Sequence, residues 1–458
     1  MRVLKLIPQK HLKMKALIKN IFVFLFTALL FSCQENLKPI EITTEDFHAT
    51  VDKLTEVMVH DVFSPPVASR IYTYPNIAAY EVISLNNNEF QSLTNQLNEF
   101  EEVPSIKLSD NINTDLAALI AYMDVAKELV FSKDKFLVYR DSLFNSWNEI
   151  NETEFIEAKK YAYKVSNHVK NWMNNDNYNE TRTMPAYNIL TDDPFKWTPT
   201  PPAFMAGIEP NWAKIRTMVL DSASQYKPLP PPTPSFDKKS DFYKELIEVY
   251  EIGNEITKEG DTSEKVAIAQ FWDCNPYVSV NKGHFMFAEK KITPGAHWIG
   301  ICKIACKDSK ADFENTIYAY TKTSIAINDA FISCWDEKYR SNLVRPETLI
   351  NKFIDEDWLP LLQTPPFPEY TSGHSVVSGA ASEVLTAIFG DNFSFDDTTE
   401  IPYGLGVRKF GSFRKAAEEA AISRIYGGIH YMAAVVLGVE QGKKVGFKVN
   451  NDVTFKKN

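Results

Sequence analysis

The sequence predicts an all-α fold in two halves, and three observations carry that prediction. Seven stretches place apolar residues three and four positions apart, the repeat of a helix that buries one face. They run from Glu45 to Val62, Asn111 to Phe131, Glu154 to Trp172, Phe242 to Ile256, Ala311 to Trp335, Ser375 to Phe389 and Phe413 to Arg424. Long alternating runs, the mark of half-buried strands, are absent. Finally, eleven of the 25 prolines fall between Pro185 and Pro234, including Pro230, Pro231 and Pro232 in a row. That density is incompatible with helix, so the stretch reads as a linker or an arm laid over the surface.

The chain divides accordingly into a leader over 1–33, an N-terminal helical half over 34–180, the proline-rich connector over 181–240 and a C-terminal helical half over 241–450. The first twenty residues carry Arg2, Lys5, Lys10, Lys13, Lys15 and Lys19 and no acid. The apolar run from Ile21 to Phe31 is too short to span a bilayer. Ser32-Cys33 follows, then the polar Gln34-Glu35-Asn36. A basic region, an apolar region and a small residue at the cut make a secretory signal peptide. The cysteine after the small residue resembles a bacterial lipobox, which implies a lipid anchor at Cys33. Met14 also suits as a start, because a complete signal follows it. The expectation is an exported protein, either periplasmic, membrane-anchored or secreted.

A formal net charge of −10 over 458 residues argues against a nucleic-acid partner, which favours a basic surface, and suits a small diffusing substrate. Beyond Cys33 the cysteines are Cys274, Cys302, Cys306 and Cys334. Cys302 and Cys306 lie one helical turn apart with no histidine at zinc-site spacing, so the four read as structural or free thiols.

The chemistry concentrates between Trp335 and His430, in three segments. The first holds Lys338 and, after six residues, Arg345-Pro346. The second is Ser372-Gly373-His374. The third is Ser423-Arg424 and, after five residues, His430. The set is nearly all hydrogen-bond donors. Converged, it would cage a multiply charged tetrahedral oxyanion: Arg345 and Arg424 with planar forks, Lys338 with a point charge, Ser372 and the Gly373 amide on the remaining oxygens. Trp335 and Lys338 share a face near the end of a long helix from Ala311 to Lys338. Pro346 should interrupt that helix, leaving Arg345 in a turn. Ser372-Gly373-His374 opens the next helix, whose first amides point at any anion before them. Gly427-Gly428 stops the helix that carries Arg424, and His430 opens the last one.

These three segments, in this order and spacing, resemble the signature of vanadium-dependent haloperoxidases and the phosphatases of the same superfamily. Thr371 departs from the pattern, standing where proline is usual. The resemblance covers roughly 260–447 and implies two helical bundles with the site in the second. It also implies a vanadate cofactor held by Lys338, Arg345, Ser372, Gly373 and Arg424 and ligated by His430. His374 would then move the proton, and Lys338 would polarise peroxide for attack by halide. Trp335 and Phe367 resemble residues lining halide pockets. Asp273, in Gln270-Phe271-Trp272-Asp273, is expected to pair with Arg424 and hold it. His297, in Thr293-Pro294-Gly295-Ala296-His297-Trp298, also looks family-like, yet reads as structural along with the other histidines outside the signature.

One cage suits two chemistries. A phosphatase would use His430 as nucleophile and His374 as acid. Such enzymes usually carry an aspartate four residues after the nucleophile, whereas here Ala434 stands there among Met432, Ala433, Val435 and Val436, all uncharged. That absence, the aromatic pair and the upstream segments favour a peroxidase. Hydrogen peroxide and iodide are the expected substrates, with bromide weak and chloride unused, since the chain looks most like the exported haloperoxidases of marine Bacteroidota. A monomer is expected. An anion-binding protein without catalysis is a third reading, against which the intact His374 and His430 pair stands.

Overall fold

The computed structural model describes residues 38–104, 112–276, 279–282, 285–288 and 291–457. The expected leader and Cys33 lie outside the described residues. The described chain is mostly helical. Its N-terminal half holds α1 (Thr44–Asp61), α2 (Pro65–Ser84), α3 (Thr114–Leu129), α4 (Lys133–Met173) and the single turn α5 (Tyr178–Thr181). Its C-terminal half holds α6 (Asp241–Glu259), α7 (Glu264–Phe271), α8 (Pro294–Asp308), α9 (Phe313–Ser341), α10 (Pro346–Phe353), α11 (Gly373–Phe389), α12 (Phe413–Tyr426) and α13 (Met432–Asp452). Two antiparallel hairpins interrupt the helices. One pairs β1 (Ser279–Lys282) with β2 (Phe285–Ala288), and the other pairs β3 (Phe395–Asp397) with β4 (Arg408–Phe410).

Local chemistry sets the helix starts. Thr43 and Asp46 form a capping box on α1. Ser64, Asn113, Ser240, Thr293, Asp312 and Ser412 each accept an amide proton from the first turn of the helix that follows. Pro346 does not break a helix, as its type alone suggests. The long helix α9 has already ended at Ser341, capped by Asn342 in the left-handed region at φ 51°, and Pro346 opens α10. Proline is favoured there because its missing N–H has no intrahelical partner at a first position.

Helix α2 escapes a periodicity search because it has no polar face: every residue from Pro65 to Ser84 is buried. Its polar side chains are paired internally. Arg70 Nε donates to Asp176 at 2.6 Å, and Glu81 accepts from the Leu93 amide at 2.7 Å. This helix joins the two halves. Thr73 Oγ1 donates to the Ser324 carbonyl of α9 at 3.0 Å, and Thr321 Oγ1 of α9 donates to the Asn76 carbonyl at 3.1 Å. One apolar core accordingly runs from Phe47, Tyr72 and Ile77 to Ile317, Tyr320 and Ile327. The proline-dense stretch is tied down along its length. Trp197 and Trp212 are buried, and the buried Asp329 of α9 accepts the amides of Met218, Val219 and Leu220 at 2.6, 2.7 and 3.0 Å.

The C-terminal half places the site by packing α11 against α13 at backbone contact. A Cβ on Gly442 would lie 2.0 Å from the Val376 carbonyl oxygen, and one on Gly379 would lie 2.6 Å from that of Val439. Only glycine permits this approach. The Ser372 amide then reaches the Ala434 carbonyl at 3.1 Å, which sets the start of α11 beside the first turn of α13. Gly442→Ala should therefore cost about 3 kcal/mol. Gly406→Ala, in open space, should stay within about 0.5 kcal/mol of the parent. Urea unfolding of the two variants checks the contrast; equal stabilities would show that the helices can part without cost.

Candidate active site

The three sequence segments converge. Lys338, near the end of α9, is fully buried and donates from Nζ to the carbonyls of Pro368 and Glu369 at 2.9 and 3.0 Å. Arg345, the residue before α10, donates from Nε to the Phe367 carbonyl at 3.0 Å and from Nη1 to the Ile429 carbonyl at 2.8 Å. Its Nη1 also stands 3.1 Å from His430 Nε2. Arg424, at the end of α12, donates from Nη1 to the Trp272 carbonyl at 2.9 Å. Ser372 caps α11, accepting the Ser375 amide at 3.3 Å. The loop from Pro366 to Glu369 thus serves as a set of neutral acceptors under two buried cations.

Arg424 lines a partly open cavity of about 30 Å3 together with Cys274, Trp335, Phe367, Gly373, His374 and His430. Lys338 and Arg345 are not on its wall but contact Phe367 and His430, which are. No carboxylate lines it among the described residues. The Trp335 and Phe367 rings lie 5.0 Å apart on one side, and Lys338 Nζ sits 5.0 Å from the Phe367 centroid. Three buried nitrogens at this place have no hydrogen-bond partner: Arg345 Nη2, Arg424 Nε and His374 Nε2. A buried guanidinium N–H left unpaired is costly, and a small anion in the cavity is the acceptor that would satisfy it. The donor set therefore fits vanadate, or a phosphoryl group of the same shape and charge.

His430 has a carboxylate partner that its own segment lacks. Its Nδ1 lies 2.7 Å from Glu369 Oε1, which also accepts the Tyr431 amide at 3.0 Å. Arg345 Nη1, 3.1 Å from Nε2, can only donate, so Nε2 keeps its lone pair and Nδ1 carries the proton toward Glu369 Oε1. The carboxylate that Ala434 cannot supply comes from the other side of the ring. It stands five residues before His374, just ahead of the second segment, and it removes the missing aspartate as an argument between the two chemistries. Asp273 is a second correction. It pairs with Lys291 at 2.7 Å, and Arg424 bonds the neighbouring Trp272 carbonyl instead. The carboxylate acts on Arg424 through its field alone.

Burial governs the electrostatics. It pushes Lys338 down to about 7, helped by the charge of Arg345, and Arg345 down to about 10. Arg424 is lowered for the same reason. His430 is held well below the ordinary imidazole range by burial and then by Arg345 and Lys338, and His374 by burial and then by Arg424. The Glu369 carboxyl is pushed up to about 8 by burial. Both histidines are therefore neutral at neutral pH. With one His374 nitrogen turned to the Trp272 carbonyl, the free Nε2 at the cavity is a proton acceptor.

Comparison with known proteins agrees with this arrangement. Residues 319–456 match the VCPO second helical-bundle domain. A crystal structure described as that of a bacterial vanadium-dependent iodoperoxidase is 57% identical in sequence, with a TM-score of 0.89, covering 92% of this chain and 99% of that one. A bacterial vanadium-dependent chloroperoxidase shares the fold at 14% identity and a TM-score of 0.63, over 86% of this chain and 93% of its own. A vanadium-dependent bromoperoxidase of Corallina officinalis is 29% identical over 96 residues, and the match spans 19% of this chain and 16% of that protein. The helical-bundle fold and the donor-lined cavity define an oxyanion-binding protein of the haloperoxidase and phosphatase type. The chain belongs to the vanadium-dependent haloperoxidases.

The depressed Lys338 gives the site a measurable proton linkage. A bound anion favours the ammonium form, so above about pH 7 binding should draw a proton onto Nζ. Phosphate affinity for the cofactor-free protein should fall with rising pH more steeply in the parent than in Lys338→Met. Calorimetry at about pH 8 in two buffers should read an uptake approaching one proton per anion in the parent, less in the variant. Identical uptake in both would place the titrating group elsewhere.

Proposed function

We propose that the protein is a vanadate-dependent peroxidase that oxidises iodide with hydrogen peroxide to hypohalous acid. The observation that carries the choice of iodide is the near full-length likeness to a bacterial iodoperoxidase, joined to a cavity walled by the aromatic rings of Trp335 and Phe367. Bromide is expected to be a weak substrate and chloride none. Bound in the cavity, vanadate supplies the means of activating peroxide for attack by halide. The chain supplies the rest. Lys338, Arg345 and Arg424 balance the negative charge, with the Gly373 amide and the Ser372 hydroxyl as further contacts. His430 Nε2 is the ligating nitrogen in this reading, with the ring proton held on Nδ1 toward Glu369. His374 Nε2 takes and returns a proton at the cavity wall. Trp335 and Phe367 keep water away from a large, weakly hydrated halide. Lys338 polarises the peroxide through its positive charge in this reading.

A second reading, an acid phosphatase with His430 as nucleophile, draws support from the same Glu369 contact, because a carboxylate behind a histidine also raises its nucleophilicity. Export directed by residues 1–33, a lipid anchor at Cys33, a monomeric state and the division at the proline-rich stretch complete the proposal.

Protein prepared without vanadate should be inactive, should oxidise iodide once orthovanadate is added, and should be inhibited by phosphate. His430→Ala should abolish turnover. His374→Ala should lower it about a hundred- to ten-thousand-fold while still taking up vanadate. Triiodide absorbance against added vanadate, beside p-nitrophenyl phosphate hydrolysis by the vanadate-free protein, separates the readings. Rapid phosphate release with no vanadate-dependent iodide oxidation would establish the phosphatase instead.

A further inference from the structure

A cluster of ligand atoms adjoins the active site, and one of its residues, Cys274, lines the same cavity as His374, Arg424 and His430. His297 of α8 is fully buried and stacks on the Trp272 indole, with centroids 4.4 Å apart and planes 19° apart. Its Nε2 meets Asp397 Oδ2 at 2.8 Å and Thr399 Oγ1 at 2.7 Å. Its Nδ1 lies 3.4 Å from Cys274 Sγ and 3.1 Å from Glu400 Oε1, which are 3.8 Å from each other. All three residues are buried. In sequence they stand 23 and 103 positions apart, so no spacing rule for metal ligands could join them.

We propose that Cys274 Sγ, His297 Nδ1 and Glu400 Oε1 form a site for a divalent cation of the zinc class. A thiolate, an imidazole and a carboxylate are the ligand types such ions take, and three of them leave one position for water. Tetrahedral bonds of about 2.0–2.3 Å set ligand atoms about 3.3–3.6 Å apart, close to the triangle seen here. The second layer of contacts is also built. Asp397 holds His297 from the opposite nitrogen, so a cation binding at Nδ1 would replace the proton that Nδ1 shares with Glu400. Asp397 is itself fixed, with Oδ1 accepting the Thr399 amide at 3.0 Å and its hydroxyl at 2.7 Å. Gly300, one turn along α8 from His297, lets this loop approach, since a Cβ there would lie 2.5 Å from Thr399 Cγ2. An entry path exists as well. A groove of about 650 Å3 has Thr398, Thr399 and Tyr403 on its wall, so solvent comes within one residue of Glu400.

The cation would brace the plate on which the active site rests. Trp272 stacks on one ligand, and its carbonyl holds Arg424. Neither vanadate nor peroxide enters this inference, so it stands whether the site oxidises halide or hydrolyses phosphate.

The test uses the full-length folded protein, purified without chelator and again after chelator treatment and dialysis. Mass spectrometry should find about one zinc per chain in the first, and the stripped protein should take up one equivalent of added zinc. X-ray absorption at the zinc edge should show one sulfur among nitrogen and oxygen neighbours. Cys274→Ser and Glu400→Gln should each weaken binding at least tenfold, and Cys306→Ser should leave it unchanged. A folded stripped protein that takes up no stoichiometric zinc would overturn the proposal, leaving the cluster a hydrogen-bonded histidine between two carboxylates. So would two sulfur neighbours, which would point to Cys302 and Cys306. The parent measurements decide the matter even if a variant fails to fold.

Discussion

The structure depends on keeping three cations, Lys338, Arg345 and Arg424, inside a helical bundle beside a cavity on whose walls no carboxylate stands among the described residues. Buried charge without a counter-ion is strongly unfavourable. Backbone carbonyls meet part of that cost. The loop from Pro366 to Glu369 gives three acceptors, Ile429 gives a fourth and Trp272 a fifth. The rest of the C-terminal half holds those carbonyls in place. Glycines let α11 and α13 touch, and a proline-rich arm braces the loop from outside through the Ile208 amide and the Pro366 carbonyl. What the carbonyls leave unsatisfied is Arg345 Nη2 and Arg424 Nε, and Arg424 lines the cavity. The depression of Lys338 and Arg345 has the same origin, and an anion relieves it.

A neutral histidine amid that positive charge needs its lone pair aimed inward, and Glu369 provides the aim. The carboxyl reaches His430 from a different loop, so a search four residues past the histidine meets only Ala434. Its own elevated affinity for a proton reflects how little solvent reaches it. The same Oε1 accepts the Tyr431 amide, which ties the orientation of the ring to the backbone at the start of α13.

Legibility in the sequence followed the range of the interaction. Amphipathic helices such as α1 and α6 write their burial as a local repeat, and the signature residues keep fixed spacings because neighbouring members sit on one element or at its end. Helix α2 left no repeat, because both halves of the protein cover it on all sides. Pro346 was misread because the type of a residue does not say whether a helix is ending or beginning. The Asp273–Arg424 pair failed for a different reason: two neighbouring groups compete for one guanidinium, and the Trp272 carbonyl lies closer than the carboxylate, which Lys291 engages. Glu369 and the Cys274–His297–Glu400 cluster are contacts between distant segments. A single sequence holds no trace of them beyond the presence of suitable residue types.

The central claim is that His430 is neutral, protonated on Nδ1 toward Glu369 and free on Nε2 toward the cationic cavity. Nitrogen NMR of the anion-free protein carrying 15N-labelled histidine tests it directly, with His430→Gln assigning the signals. The account predicts, at neutral pH, a protonated Nδ1 and an Nε2 at the shift of an unprotonated ring nitrogen, with the Nδ1 signal displaced in Glu369→Gln. An imidazolium at neutral pH, or a proton on Nε2, would contradict it.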